Sequence, residues 1–247
     1  MEYLRVDHES KVPPMKRIGV VGGFSQWATH DVIGRILKYS ASRIPQYGNR
    51  GYPPMDQRWV NRAPMKLNTD GSMPAKLEPS DELLAAAKFV GNDSDFLIIP
   101  SNTPHFFKKE IEEAAGKSLL SIVDLAIEEV ARRQSAKVGI MAIGPTLNRR
   151  LYQNPLEEKG FTTVVLSQEL SEKLDEEGVY AIQEGVPAGK VGKVAFEALS
   201  YLRKQGSDSV ILGCSEIPIL LGADSEAPYI INPSQLLAEA AVEKALS

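Results

Sequence analysis

One cysteine in 247 residues is too few for an internal disulfide, and Cys214 with three histidines supplies no cysteine-cluster zinc site. Positive charge never gathers into a block longer than a Lys/Arg pair, and 28 basic residues face 32 acidic ones. Nucleic-acid and membrane-surface electrostatics therefore have no footing. Long apolar runs are missing as well: no stretch reaches the roughly 18–20 residues of a transmembrane helix. Residues 1–9 hold no basic region followed by an apolar one. Glycine-rich nucleotide loops are also absent. The sequence Gly22-Gly23-Phe24-Ser25-Gln26-Trp27 breaks the G-x-G-x-x-G spacing, and no Walker sequence occurs, which removes the usual anchors for NAD and ATP. What remains is an unexported globular chain, expected in reducing cytoplasm. Its 43% hydrophobic content suffices for one large core or two modest ones.

What the chain does have is a repeated pattern. Two segments, 95–105 and 208–218, each pair an acidic residue (Asp95, Asp208) with a buried-strand run and then small polar residues. The first ends its strand on Ser101, the second on Cys214. A second match, 17–22 with 137–142, aligns Gly19 with Gly139. Strands are expected over 17–21, 96–99 and 137–142, followed by helices over 27–42, 104–115 and 145–159, the alternation of βαβ units. Continuous rather than alternating apolar runs at 18–21, 97–99 and 210–212 read as strands covered on both faces. The fold predicted is α/β: two pseudo-symmetric, Rossmann-like three-layer domains with mainly parallel sheets and the active site in the cleft between them. The domains are expected at 1–115 plus 222–247, and at 116–221. A last helix over 233–246, with Asn232 as N-cap and Pro233 at N1, is expected to pack back on the first half. The segment 47–79, rich in Pro, Gly, Asn and Asp with one strand near 57–61, reads as a long loop, either a lid or binding loop or a disordered one.

In open parallel sheets, ligands bind beyond the carboxyl ends of the strands, where helix N-termini present unpaired N–H groups. Ser101-Asn102-Thr103 and Cys214-Ser215-Glu216 both fall there, so facing halves put Ser101 and Cys214 on opposite sides of one cleft. A thiol at a helix start has its thiolate favoured, and the pKa of Cys214 is expected below the roughly 8.5 of a free cysteine. The alternative for a lone cysteine is an inert buried side chain. Gly22 and Gly23 let backbone approach a ligand, or simply make a strand-to-helix turn.

On these residues the chain resembles the pyridoxal-phosphate-independent aspartate/glutamate racemase superfamily. The likeness rests on Gly22-Gly23 with Ala28-Thr29, on Ser101-Asn102-Thr103-Pro104-His105 where the family has Cys-Asn-Thr-x-His, and on Gly213-Cys214-Ser215-Glu216 where it has Gly-Cys-Thr-Glu. Glu184-Gly185-Val186 and Asn232-Pro233 extend it along nearly the whole chain. The resemblance implies a racemase or epimerase of a small amino acid, with aspartate and glutamate the family's named substrates. It also implies no cofactor and no metal, and a homodimer. Inversion at Cα needs a base on one face and an acid on the other, and donors to stabilise the developing enediolate. Cys214 and Ser101 take the catalytic positions. Gly23, Asn102, Thr103, Ser215, Lys66 and His105 take substrate-binding ones.

Three departures refine this reading. Ser101 stands where the family's first cysteine stands, which rules out symmetric two-thiol racemisation. Ala63-Pro64-Met65-Lys66 replaces an Ile-Pro-Asp-Arg stretch, giving a point charge in place of a fork. Gly185-Val186-Pro187 lacks the lysine of a Gly-Val-Lys segment, and Lys190 reads as an exposed lysine. His105 is open to two roles, a relay to Ser101 or substrate and a packed first-turn residue. Glu216 is expected to cap its helix rather than orient Cys214. His8 and His30 carry no motif and read as surface or packing residues. Two further functions fit a single thiol: a cofactor-free lyase of the malonate-decarboxylase kind, and a ligand-binding homologue with weakened catalysis.

Overall fold

The computed structural model describes residues 12–46 and 50–247, so His8 and the first residues of the 47–79 segment lie outside the described residues. Two parallel four-stranded sheets form the frame. The first holds β1 (Ile18–Gly22), β2 (Met55–Trp59), β3 (Phe96–Ile98) and β4 (Leu119–Leu120) in the order β2-β1-β3-β4. The second holds β5 (Lys137–Met141), β6 (Thr162–Val165), β7 (Ser209–Leu212) and β8 (Ile230–Ile231) in the order β6-β5-β7-β8. The same order twice is the duplication read from the sequence, now at the level of topology.

The repeat also has a local physical cause. Asp95 ties the start of β3 to β1, because its carboxylate accepts the Arg17 N–H at 2.7 Å while its own N–H donates to the Arg17 carbonyl at 2.9 Å. Asp208 does the same between β7 and β5, accepting from the N–H groups of Ala136 at 2.7 Å and Lys137 at 3.1 Å. The matched glycines sit under matched serines: a Cβ on Gly19 would lie 2.5 Å from Ser94 Oγ, and one on Gly139 would lie 2.8 Å from Ser207 Oγ. The acidic residue at the head of each copy is thus a strand clamp.

In the first half, α1 (Gln26–Arg43), α2 (Asp81–Gly91), α3 (Lys108–Ala115) and α4 (Ile122–Arg133) follow the strands. Ser25, Ser80 and Ser121 cap α1, α2 and α4 by accepting first-turn N–H groups. The helix expected from 104 opens instead as a 3₁₀ turn, Thr103–Phe107, with Pro104 in its first turn. In the second half, the helix expected over 145–159 divides into α5 (Gly144–Asn148) and α6 (Gln153–Glu158), because Arg150 takes a positive φ of 57° between them. Then come α7 (Gln168–Leu174), a π-helical turn at Asp175–Tyr180, α8 (Ala181–Gln183), α9 (Ala188–Val191), α10 (Lys193–Lys204), α11 (Ile217–Leu221) and α12 (Pro233–Leu246). Asn232 caps α12, accepting from Ser234 and Gln235.

α12 packs on α1 and α4, as expected for a last helix returning to the first half. Its residues Leu237, Ala241 and Val242 join Ile18, Ile36 and Ile122 of the first half and Ile140 and Ile231 of the second in one apolar core. β4 pairs with β3 in the first sheet through Leu97 and Leu119, and β8 pairs with β7 in the second through Val210 and Ile230. Each two-residue edge strand is too short to show a pattern of its own in sequence. Among the described residues, no helix is long and apolar enough to cross a membrane.

One ionic group fastens α4 to the second sheet. Glu129, nearly buried, accepts from Arg132 at 2.6 and 2.7 Å and from Arg133 at 2.6 Å, and Arg133 also donates to the carbonyls of Pro228 and Ile230 beside β8. The Arg132 hydrogen bonds lead in holding the Glu129 carboxyl down to about 2, against 4.5 for an ordinary glutamate. A depressed acid stabilises the fold above its unfolded pKa and loses that stabilisation as the pH falls through its folded one. Glu129→Gln is therefore expected to lower urea-unfolding stability at pH 7 by on the order of 1–3 kcal/mol. The gap to the parent protein should close as the pH falls from 4.5 towards 2. An unchanged gap across that range would remove the carboxylate from this role.

Candidate active site

At the carboxyl end of β3 the chain turns tightly, with the Ser101 N–H donating to the Ile99 carbonyl at 2.8 Å. His105, in the 3₁₀ turn, fixes this corner. Its Nε2 accepts the Ile122 N–H at 3.2 Å, which leaves Nδ1 as the N–H that donates to the Ser101 carbonyl at 2.9 Å. Burial lowers its pKa to about 4, so the ring is neutral. Both nitrogens are engaged with backbone. Of the two roles open to His105 in sequence, the geometry matches the packed, positioning one. Ser101 Oγ is left without a hydrogen-bond partner among the described residues.

At the carboxyl end of β7, Gly213 donates to the Met141 carbonyl at 2.8 Å and the chain turns into α11. The Cys214 thiol donates to Glu216 Oε2 at 3.0 Å, and the same carboxylate accepts from Gln183 Nε2 at 2.7 Å and Ser215 Oγ at 3.4 Å. Glu216 makes no side-chain cap on α11, contrary to the expectation, because its carboxylate is turned to the thiol instead. The expected direction of the cysteine pKa is also reversed. Burial, the charge of Glu216 and the hydrogen bond to Glu216 raise it well above the ordinary value, while the Glu216 N–H is a smaller opposing influence. A five-residue helix has too little dipole to outweigh a neighbouring carboxylate.

The two ends meet. Ser101, Asn102 and Thr103 line one cavity of about 180 Å³ together with Cys214, Ser215 and Glu216. Tyr152, fully buried, braces them across the halves: its hydroxyl donates to Asn102 Oδ1 at 2.5 Å. Burial and the nearby Cys214 push the phenol above its usual range, so it stays a neutral donor. Its ring lies against Gly213, where an added Cβ would come within 2.9 Å of Ala142 Cβ and 3.3 Å of the Tyr152 ring. With Oδ1 engaged, the Asn102 side chain has its amide N–H groups to offer. The main-chain N–H groups of Asn102 and Ser215 have no acceptor among the described residues.

Other sequence candidates lie elsewhere. Gly23 does not line the cavity, and its N–H donates to Thr29 Oγ1 at 3.0 Å. Its φ of +83°, with Val60 N 2.7 Å from a would-be Cβ, makes it the glycine that turns Phe24 and Ser25 into the cavity wall. Lys66 is exposed and paired with Asp81 at 3.0 Å, and Lys190 lines a separate surface hollow. The segment holding Lys66 still contributes a wall through Pro64, and Arg149 holds it to the second half by donating to the carbonyls of Pro74 and Ala75 at 2.8 and 3.1 Å. Among the described residues, no lysine or arginine lines the cavity. Two acids do, Glu216 and Asp175, and burial followed by the charges of Glu216 and Glu176 lifts Asp175 to about 6. Sequence reasoning missed Tyr152, in the turn before α6, and Asp175, at the start of the π-helical turn, both remote from the two motifs.

The model of the family described as Asp/Glu/Hydantoin racemase matches residues 65–241. The broad specificity amino-acid racemase RacX of Bacillus subtilis (strain 168) is 24% identical over 231 residues, covering 93% of this chain and 98% of RacX. In fold the chain is similar to an aspartate racemase homologue from Pyrococcus horikoshii OT3, with a TM-score of 0.74 and 23% identity over 94% of this chain and all of that one. It is also similar to the Picrophilus torridus aspartate racemase, with a TM-score of 0.75 and 17% identity over 93% of this chain and 94% of that one.

The raised thiol pKa has a direct readout. Glu216→Gln removes the charge that disfavours the thiolate, so iodoacetamide is expected to alkylate Cys214 several-fold faster at pH 8 in the variant than in the parent. An equal or slower rate would mean that Glu216 does not control this thiol.

Proposed function

Because the chain belongs to the Asp/Glu/hydantoin racemase family, we propose that it is an amino-acid racemase working without pyridoxal phosphate or metal, with Cys214 and Ser101 on opposite faces of the substrate Cα. The observation that carries this reading is the meeting of the two repeat ends in one cavity. The α-hydrogen of an amino-acid carboxylate is weakly acidic, so the developing enediolate has to be gripped. The Asn102 amide and the main-chain N–H groups of Asn102 and Ser215 supply donors for that purpose.

Cys214 acts with Glu216 as one acid–base unit. The thiol passes its proton to Glu216 Oε2 at 3.0 Å, and the thiolate, still held by the Glu216 N–H, takes the α-proton. Ser101 O–H then delivers a proton to the opposite face and recovers one from solvent, while Glu216 releases to solvent the proton it took from the thiol. In the reverse direction Ser101 is the base, a hydroxyl with no side chain to activate it, so the two directions are chemically unequal. Cys214→Ala is expected to lower enantiomer interconversion, followed by polarimetry, by about 10²–10⁴-fold or more. Ser101→Cys is expected to raise it by restoring a thiol on the second face. Full activity in Cys214→Ala would sink the assignment.

The resting protonation of Cys214 favours a second reading. A thiol that keeps its proton suits a reaction needing only a donor, such as protonation of the carbanion left when a disubstituted malonate loses carbon dioxide. Carbon dioxide release without interconversion of any amino acid would select that lyase. Binding without either reaction would select a ligand-binding homologue.

A further inference from the structure

The first sheet ends on an open strand. Its far edge, β4, is two residues long, whereas β2 runs five residues, Met55-Asp56-Gln57-Arg58-Trp59, with none of the proline, lysine or glycine that blunts an edge. Gln57, Arg58 and Trp59 are exposed. The ladder to β1 fixes which backbone groups look outward. The Ile18 N–H donates to the Pro54 carbonyl at 2.9 Å and the Val60 N–H to the Gly22 carbonyl at 2.8 Å, so positions 56 and 58 bond inward in this parallel register. Met55, Gln57 and Trp59 therefore turn their N–H and C=O groups to the free edge, where no backbone group of the described residues pairs with them.

The side chains of β2 match their own reverse. Laid antiparallel on a second copy about Gln57, the strand pairs Gln57 with Gln57 and Met55 with Trp59 through main-chain hydrogen bonds. The same register sets Asp56 opposite Arg58 at the non-hydrogen-bonded positions, where facing side chains approach most closely. Both charges are available. The Asp56 side chain is 36% exposed, with the exposed Arg17 Nη1 at 3.5 Å from its Oδ2, and Arg58 rests its guanidinium 5.3 Å from the centre of the Phe89 ring with no carboxylate partner among the described residues. Trp59 and Phe89, 41% and 57% exposed, add apolar surface on opposite faces of the strand. The corresponding edge of the second sheet, β6, reads Thr162-Thr163-Val164-Val165 and carries no charge to set a register. We infer that β2 is the docking edge for a second copy of this chain, in an isologous dimer whose two first sheets join antiparallel into one, held in register by Asp56 of each copy against Arg58 of the other.

Sedimentation equilibrium of the whole chain tests this, with circular dichroism to show that each variant is folded. The parent is expected at twice its 27.0 kDa. Gln57→Pro is expected to sediment as a folded monomer, because it removes an N–H that the ladder to β1 does not use. Arg58→Asp sets like charges against each other twice in a two-fold interface, so its dimer is expected to dissociate on the order of tenfold more readily. Added salt should strengthen that dimer and weaken the parent one, since it screens repulsion in the first and attraction in the second. An equimolar mixture of Arg58→Asp with Asp56→Arg brings unlike charges opposite each other again and should restore association. If Asp56→Arg does not fold, Arg58→Asp and its salt dependence decide the register alone. A monomeric parent, or a dimer that survives Gln57→Pro, would overturn the inference. So would a dimer that is lost in Gln57→Pro yet indifferent to the charge reversals, because it would pair in another register.

Discussion

A thiol and a carboxylate 3.0 Å apart inside protein constrain the rest of this site, because neither group is comfortable there alone. Glu216 is 2% exposed and accepts from a thiol, an amide and a hydroxyl, with no cation among its partners. Three donors satisfy its oxygens but leave its charge uncompensated, and the nearest titratable proton is that of Cys214. The proton therefore stays on sulfur, which accounts for a cysteine at a helix start that remains a neutral thiol.

The opposite wall is built by the same architecture with different chemistry. Asp95 and Asp208 clamp equivalent strands, and Gly19 and Gly139 allow equivalent close approaches, so Ser101 and Cys214 arrive at equivalent corners. The corners differ in what supports them. His105 uses both ring nitrogens on main chain, positioning Ser101 without activating its hydroxyl. Tyr152 then ties the Asn102 corner to the second half through one hydrogen bond and packs its ring on Gly213. The fold is symmetric about the site, and the proton chemistry is not.

Much of this was legible in the sequence, for identifiable reasons. Continuous apolar runs marked the central strands because parallel strands are covered on both faces, and Asn232-Pro233 marked the start of α12 because capping is a local event. Ser101, Asn102, Thr103, Cys214 and Ser215 converge in one cavity because each motif sits where its strand ends. The short edge strands β4 and β8 carried no pattern of their own in sequence. Tyr152 and Asp175 act through distant partners, which no spacing rule detects. Lys66 was matched by position to a basic family residue, yet its ammonium is held outside by Asp81. The direction of the Cys214 pKa was misjudged because the dipole of a helix start is visible in sequence, whereas a buried carboxylate turned towards the sulfur is visible only in three dimensions.

The central claim is that one face of Cα is served by a thiol–carboxylate pair and the other by an unassisted hydroxyl. It is tested most directly by deuterium entry at Cα in D₂O, starting separately from the pure L and pure D forms of one amino acid that is turned over. The enantiomer whose hydrogen faces Cys214 should gain deuterium faster than it inverts, because the proton taken up by Cys214 exchanges with solvent and a deuteron returns to the same face. Its mirror image should pass directly to the inverted, deuterated product with little deuterium in the recovered starting form. Matching time courses from both enantiomers would contradict the account.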